Sequence, residues 1–320
     1  MRFASGFSGR VAVVTGGGTG MGRELVRQLT ADGCDVAMCD VIEDNMAETS
    51  ALCAGNPGRV LSHVADVSVE SDVLAFRDVV AGWRDHVNLL FNNAGIGGGG
   101  SIVDDERDQW EKTFGVCWFG VYYNTRAFLP LLLKADIGQV INTSSVNGFW
   151  ASLGPNIPHT AYSSAKFAVK GFTEALITDF RINAPHLKAT LVMPGHIGTS
   201  IAINSRKLLG GDPKEMTEEQ IAQLRARLTK AGLDVSGASD EDLRLGIQAQ
   251  GEAFRDNAPT SAEQAATIIL DAVKNDEWRV LVGDDAVILD EMVRENPTLA
   301  YLPDFMDRVH ARGALRFTQN

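Results

Sequence analysis

Tyr162-Ser163-Ser164-Ala165-Lys166 decides how this chain is read, because a phenol and an ammonium at this spacing stack one turn apart on a helix. Around them Ala161, Ala165, Ala168, Val169, Phe172, Ala175 and Leu176 recur near helical spacing, which predicts a helix with Tyr162 and Lys166 on one face. A free phenol titrates near ~10, too high for a good base at neutral pH, and a neighbouring ammonium favours the phenolate. A tyrosine tuned in this way can take the proton of an alcohol or return it to a ketone. Upstream, Gln139-Val140-Ile141-Asn142-Thr143 reads as a buried strand that delivers Ser144-Ser145 at its carboxyl end, where open α/β sheets hold their ligands. A hydroxyl there can hydrogen-bond a substrate oxygen as charge develops on it.

The amino-terminal part supplies a second site. Val11-Ala12-Val13-Val14 is an apolar β-branched run, followed by Thr15-Gly16-Gly17-Gly18-Thr19-Gly20-Met21-Gly22 and an amphipathic stretch through Leu25, Val26 and Leu29. A strand, a glycine turn and a helix start in that order suit a dinucleotide: backbone approaches the pyrophosphate closely and the helix dipole favours its charge. The next strand, Asp35 to Met38, runs into Cys39-Asp40, roughly twenty residues beyond the glycines, where a carboxylate can hold the adenosine ribose hydroxyls. A carboxylate there repels a 2′-phosphate, and neither Thr19 nor Val41 offers a cation, so NAD is expected over NADP.

Further strands are expected at Arg59 to Val64, Val87 to Phe91 and Ala189 to Val192. The first leads to Asp66, placed to meet the adenine edge, and Val67, placed to cover its face, with Ser68 or Ser71 available to start the helix around Val73 to Trp83. The second runs into Asn92-Asn93-Ala94-Gly95 and the glycines Gly97 to Gly100, which suit a backbone lying against a ligand. The third opens into Met193-Pro194-Gly195-His196-Ile197-Gly198-Thr199. Trp110 to Leu132 reads as one long helix that Pro130 kinks or ends. Strands alternating with helices imply an α/β fold, a doubly wound and mostly parallel sheet of Rossmann type.

A net charge of −12 argues against a nucleic-acid partner, and 45 % apolar with 22 % charged residues is ordinary for a globular protein. No run has the length of a signal peptide core or a membrane span, so a cytoplasmic location without a membrane partner is expected. Cys34, Cys39, Cys53 and Cys117 lack metal or disulfide spacing and read as reduced core residues; no metal site is expected.

Taken together, these residues resemble the short-chain dehydrogenase/reductase family in its shorter form, continuously from about Gly9 to Thr199 and weakly near Pro259 to Gly283. The ordered motifs are Thr15-Gly16 with Gly20 and Gly22, Asp66-Val67, Asn92-Asn93-Ala94-Gly95, Ser145, Tyr162 with Lys166, and Pro194-Gly195 followed by Thr199. The resemblance implies that Tyr162 is the acid/base, that Lys166 lowers its pKa and binds the nicotinamide ribose, and that Ser145 orients the substrate oxygen. It implies that Asn93, with Ala94 and Gly95, lies along the cofactor, that Gly16, Thr19, Gly20, Met21 and Gly22 hold the pyrophosphate, and that Ile197 and Thr199, after Pro194-Gly195, hold the nicotinamide carboxamide. It also implies a homodimer or homotetramer paired through the fourth and fifth helices, and the apolar face at Phe114, Trp118, Val121 and Phe128 suits either that pairing or burial on the sheet.

Two departures stand out. Where the family usually has an asparagine supporting a water relay to the lysine, seven residues after Trp110, this chain has Cys117. The segment from Val146 to Ala161 is also longer than usual, and Phe149, Trp150, Leu153 and Ile157 suggest an apolar wall for a sizeable substrate, with Asn147, Trp150, His159 and His196 as candidate pocket residues. Beyond Thr199, residues 200–257 carry helical stretches around Glu218 to Leu228, with Thr217 and Gln220 spaced for a capping box, and around Leu243 to Phe254; they are expected to form a substrate lid. A helix from Ser261 to Val273, capped through Gln264, a strand at Arg279 to Val282 and an extension over 284–320 complete a single domain spanning 1–320. The expected activity is NAD-dependent hydride transfer between a bulky apolar secondary alcohol, aromatic, alicyclic or steroid-like, and nicotinamide. The alternatives are an NADP-dependent carbonyl or 3-oxoacyl reductase and a catalytically idle NAD-binding sensor or scaffold.

Overall fold

A computed structural model describes residues 3–154, 157–230 and 232–315. Met1, Arg2, Ala231, residues 316–320 of the expected extension, and Pro155 and Asn156 of the long loop lie outside the described residues.

The first half of the chain alternates β1 (Val11–Thr15), α1 (Gly20–Ala31), β2 (Asp35–Asp40), α2 (Glu43–Leu52), β3 (Val60–Val64), α3 (Glu70–Trp83), β4 (Leu89–Asn92), α4 (Arg107–Phe114), α5 (Gly120–Leu132) and β5 (Gly138–Thr143). The second half continues with α6 (Thr160–Asn183), β6 (Leu187–Pro194), the short β7 (Ile197–Gly198), α7 (Ile201–Leu208), α8 (Glu218–Lys230), α9 (Asp240–Asp256), the short β8 (Thr260–Ser261), α10 (Ala262–Lys274), β9 (Arg279–Val282), α11 (Asp284–Glu295) and α12 (Phe305–Ala311). Seven strands form one sheet in the order β3-β2-β1-β4-β5-β6-β9, and β7 pairs with β8. Every pairing is parallel, so Thr15, Asp40, Asn92, Thr143 and Pro194 end at one edge, with the order reversing between β1 and β4. That reversal opens the crevice in which open α/β sheets bind ligands.

Strand alternation divides the core between the two faces. Ala12 and Val14 join Val36 and Met38 against Leu25, Leu29 and Ile269 of α1 and α10. Val11 and Val13, with Ala37, meet Phe76 of α3, Phe128 of α5 and Phe180 of α6. The two-sided burial accounts for the continuous apolar strands. A third cluster joins Val146 and Trp150, just after β5, to Ala286, Leu289, Phe305 and Val309 of the carboxyl-terminal helices. The four cysteines are free and buried, as expected of core residues.

Three local expectations change. Ser68 and Ser71 do not cap α3: Val69 holds the cap position without a side-chain bond, because Ser68 gives both its N–H and its hydroxyl to Asp66 Oδ1. Pro130 does not end α5, which runs on to Leu132; the ring costs the bond to the Arg126 carbonyl, but the helix has only two residues left to run. The long helix is instead interrupted earlier, by a π-helical turn over Gly115–Phe119. Phe128 joins the core against the sheet and Val121 is buried, while Phe119, Tyr122 and Phe167 are exposed. Both predicted capping boxes form, Thr217 with Gln220 before α8 and Ser261 with Gln264 before α10.

Candidate active site

The glycine turn is built to lie against the segment after β4. Gly16 has φ +67°, and a Cβ there would stand 2.9 Å from Ala94 Cα; a Cβ on Gly22 would stand 2.0 Å from the Gly16 carbonyl oxygen. Only glycine fits such an approach. Thr15 Oγ1 accepts the N–H groups of Asn93 and Ala94, each at 3.0 Å, and Asn93 Nδ2 donates to the Thr15 carbonyl at 3.1 Å. Thr19 precedes α1 without capping it, so the first-turn N–H groups around Met21 and Gly22 are offered at the crevice. A buried Asn93 Oδ1 without a hydrogen-bond partner also points to something polar beside the turn. These features fit a dinucleotide, its pyrophosphate at the α1 terminus and its length along Asn93 to Gly95.

Asp40, expected to hold the adenosine ribose, accepts the N–H of Gly18 at 3.0 Å and of Ile42 at 3.1 Å with its carboxylate. Arg23 grips the following peptide, with Nε 3.0 Å and Nη2 2.7 Å from the Gly18 carbonyl, and Glu48 accepts from Nη2 at 2.7 Å. Sequence reasoning missed Arg23, although its place one residue beyond Gly22 was a signal. Asp66, expected to face adenine, is occupied: Lys112 donates to Oδ2 at 2.5 Å and Ser68 to Oδ1. Burial pushes this carboxyl up, and the Lys112 and Ser68 bonds outweigh it and hold it below the usual range. Val67 packs where a Cβ on Gly120 would come within 2.7 Å of its Cγ2.

At the other end of the crevice, Ser145 leaves β5 buried, its Oγ accepts the Asn147 N–H at 3.1 Å, and its hydroxyl lies near enough to the Tyr162 phenol to favour the phenolate. Helix α6 is started by the glycine loop, whose Gly100 and Gly99 carbonyls accept the N–H groups of Thr160 and Ala161 at 2.8 and 3.0 Å. This attachment sets Tyr162 over the end of β5. Lys166 Nζ donates to the Thr143 carbonyl at 2.8 Å and stands 5.3 Å from the centre of the Tyr162 ring. The expected lowering of the phenol does not appear. Burial raises the Tyr162 phenol, Cys117 raises it further and the Ser145 hydroxyl only partly offsets them, while burial lowers the Lys166 ammonium. Desolvation disfavours both charges, and the ammonium is turned to a carbonyl rather than to the phenol.

Cys117 belongs to this site. Its Sγ donates to the Ile96 carbonyl at 3.2 Å from within the π-helical turn, and a Cβ on Gly95 would lie 3.8 Å from that sulfur and 3.6 Å from Lys166 Nζ. π-turns often mark functional positions, a signal that helical periodicity did not carry.

The pocket residues separate into two kinds. His159 stacks near Tyr162 with ring centres 4.8 Å apart, its imidazole lowered by burial to about 4. Trp150 is buried, donates Nε1–H to the Ala300 carbonyl at 2.7 Å and packs on Phe305; Asn147 Nδ2 donates to the carbonyls of Trp150 and Ser152. His196 is buried under α9, its Nε2 2.7 Å from the Phe254 carbonyl. Their polar groups are thus engaged with protein: aromatic or amide character near a site does not say which way a side chain turns. Thr199 meets the glycine turn, where a Cβ on Gly20 would stand 3.1 Å from Thr199 Cβ. Helix α7 reaches the glycine-rich loop after β4, with Ser205 Oγ accepting the Gly97 N–H at 2.8 Å.

Comparison with known proteins agrees with this arrangement. The sequence model of the family described as short chain dehydrogenase matches residues 10–209. The chain belongs to the short-chain dehydrogenase/reductase family. The chain is 33% identical to a protein named putative oxidoreductase SadH from Mycobacterium tuberculosis, over 91% of its own length and 92% of the relative. A solved short-chain dehydrogenase/reductase from Burkholderia phymatum in complex with NAD superposes with TM-score 0.74 at 26% identity, covering 93% of this chain and 97% of that one. A metagenomic short-chain oxidoreductase in complex with NADP superposes with TM-score 0.53 at 29% identity, covering 59% and 83%. Family and fold make the protein an oxidoreductase of this class.

Proposed function

We propose that this protein is an NAD-dependent dehydrogenase that moves a hydride between a bulky, largely apolar secondary alcohol and nicotinamide, giving the ketone. The observation that carries the reading is the gathering of buried Ser145, Tyr162 and Lys166, the ammonium 5.3 Å from the phenol ring, at the strand ends that face an uncapped glycine turn. Bound on that turn, the dinucleotide would supply the nicotinamide ring that accepts or returns the hydride. Ser145 Oγ orients the substrate oxygen, and Tyr162 Oη takes the hydroxyl proton or returns it to the carbonyl. Lys166, anchored on the Thr143 carbonyl, keeps a cation near the phenol and a donor near the nicotinamide ribose. Asp40, held at Gly18, accepts from the adenosine ribose hydroxyls and disfavours a 2′-phosphate. Residues 200–257 act as the lid over the substrate, and their bond to Gly97 is its closed contact. In this reading the whole chain, from 1 to 320, works as one domain and pairs with a second copy through α5 and α6.

The test is NAD and NADP reduction, followed by absorbance, over aromatic, alicyclic and steroid secondary alcohols with wild type, Tyr162→Phe and Asp40→Ala. Turnover with NAD is expected, lost in Tyr162→Phe, with NADP use rising in Asp40→Ala. Equal activity of Tyr162→Phe would remove the assigned mechanism, and tight NAD binding without turnover of any alcohol or ketone would leave a binding protein.

A further inference from the structure

The nicotinamide side of the crevice contains a buried carboxylate that none of the residues above explains. Asp285 lies in the first turn of α11, 4 % exposed. Its Oδ2 accepts the main-chain N–H of His196 at 2.6 Å, and its Oδ1 accepts the N–H of Ala286 at 3.0 Å. Both backbones that approach it are glycines: a Cβ on Gly195 would stand 2.2 Å from the carboxylate, and one on Gly283, with φ +96°, 2.7 Å from it. The turn it touches is Pro194-Gly195-His196-Ile197. That turn is also held by the Phe254 carbonyl against His196 Nε2 and by the pairing of Ile197-Gly198 with Thr260-Ser261.

A carboxylate is an expensive group to bury. An apolar side chain could fill the same volume, but it could not accept the His196 N–H and so fix where the turn stands. The neighbouring glycines show that the backbone has closed onto the carboxylate from two elements, α11 and the end of β6.

We propose that Asp285 is a positioning residue for the nicotinamide. It holds the Pro194 to Ile197 turn in the conformation that lets Ile197 and Thr199 receive the carboxamide, and it acts only through that turn. The proposal rests on the cofactor role given to Ile197 and Thr199 above. Its consequence is selective: the nicotinamide half of the cofactor depends on Asp285, whereas the adenosine half, held at Gly18 and Asp40, does not.

Calorimetric titration of the full chain with NAD and with ADP-ribose, which lacks the nicotinamide, reads this difference. Four proteins are compared: wild type, Asp285→Ala, Asp285→Asn and Leu289→Ala, a core change in the same helix. Asp285→Ala is expected to weaken NAD at least tenfold while ADP-ribose stays within twofold. Asp285→Asn, which keeps one acceptor oxygen, should fall between, and Leu289→Ala should lower thermal stability without altering the ratio of the two affinities. Equal weakening of both ligands, or of neither, in Asp285→Ala would show the carboxylate to be a fastener of the fold alone. If that variant does not fold, an unchanged ratio in Asp285→Asn overturns the proposal. Wild type that binds neither ligand removes the cofactor reading together with this one. Wild type that binds both yet oxidises no alcohol removes only the substrate reading, and the ratio still decides the role of Asp285.

Discussion

In the proposed reaction Tyr162 gives up a proton from a phenol that burial and Cys117 both hold above its ordinary range. Alcohol oxidation needs the phenolate, so its kcat/KM should climb with pH across neutrality and into the alkaline range, whereas ketone reduction, which needs the protonated phenol, should stay flat there. Stopped-flow or steady-state profiles in both directions check this, and Tyr162→Phe should lose about 10²–10⁴-fold in each. Anchoring of Lys166 to Thr143 explains why helical spacing alone overstated its pull on the phenol. His159 supplies a separate, thermodynamic prediction. Its folded pKa is lowered to about 4 from an unreacted 6.5, so between these values the unfolded chain binds a proton that the folded protein does not. Stability should therefore fall as pH drops from 6.5 towards 4 and level off below, by at most about 3 kcal/mol from this group. Denaturant unfolding of His159→Gln across that window should show a shallower decline than wild type.

The turn after β5 joins the reaction centre to the carboxyl-terminal helices. Trp150 was legible as a bulky residue near Ser145, yet its indole N–H goes to Ala300 and its ring to Phe305, so it works as a peg between elements. Trp150→Ala removes that peg and should cost about 3–5 kcal/mol of unfolding free energy, measured by chemical denaturation. Limited proteolysis should then cut first within 296–312. Substrate KM should change less than stability does, because the pocket side of the loop carries other residues. At this scale periodicity located the helices well, and capping pairs such as Ser261 with Gln264 set their starts. The π-turn around Cys117 was not legible, since a single wide turn leaves the surrounding apolar spacing almost unchanged and is stabilised by a partner, the Ile96 carbonyl, outside the helix.

For the whole molecule, the parallel sheet sends Ser145, Tyr162, Asp40, Asn93 and Thr199 to one edge, which is why motifs spread over most of the chain share one crevice. Phe119, Tyr122 and Phe167 remain 38–41 % exposed, whereas Val121 and Phe128 are buried. Large exposed apolar side chains in a group favour a partner surface. If α5 and α6 pair with a second copy there, Phe167→Glu with Tyr122→Glu should convert the assembly to monomers in analytical ultracentrifugation, while wild type sediments as a dimer or larger. Wild type that is itself monomeric at micromolar concentration would remove this interface.

Near-neighbour chemistry settled much of this protein before any coordinates. A glycine turn that tolerates no Cβ, a phenol and an ammonium one helical turn apart, and strands apolar on both faces each depend on residues close in the chain, so their spacing alone determined the fold class and the family and singled out the candidates for the reaction centre. Which way Trp150 and His196 turn, and that Asp285 closes on the turn before Ile197, was decided only in three dimensions. Those contacts join residues 58 to 150 positions apart, and the final balance between desolvation and pairing at Tyr162 and Lys166 depends on everything packed around them. Local pattern encodes neither, because burial is a property of the assembled fold.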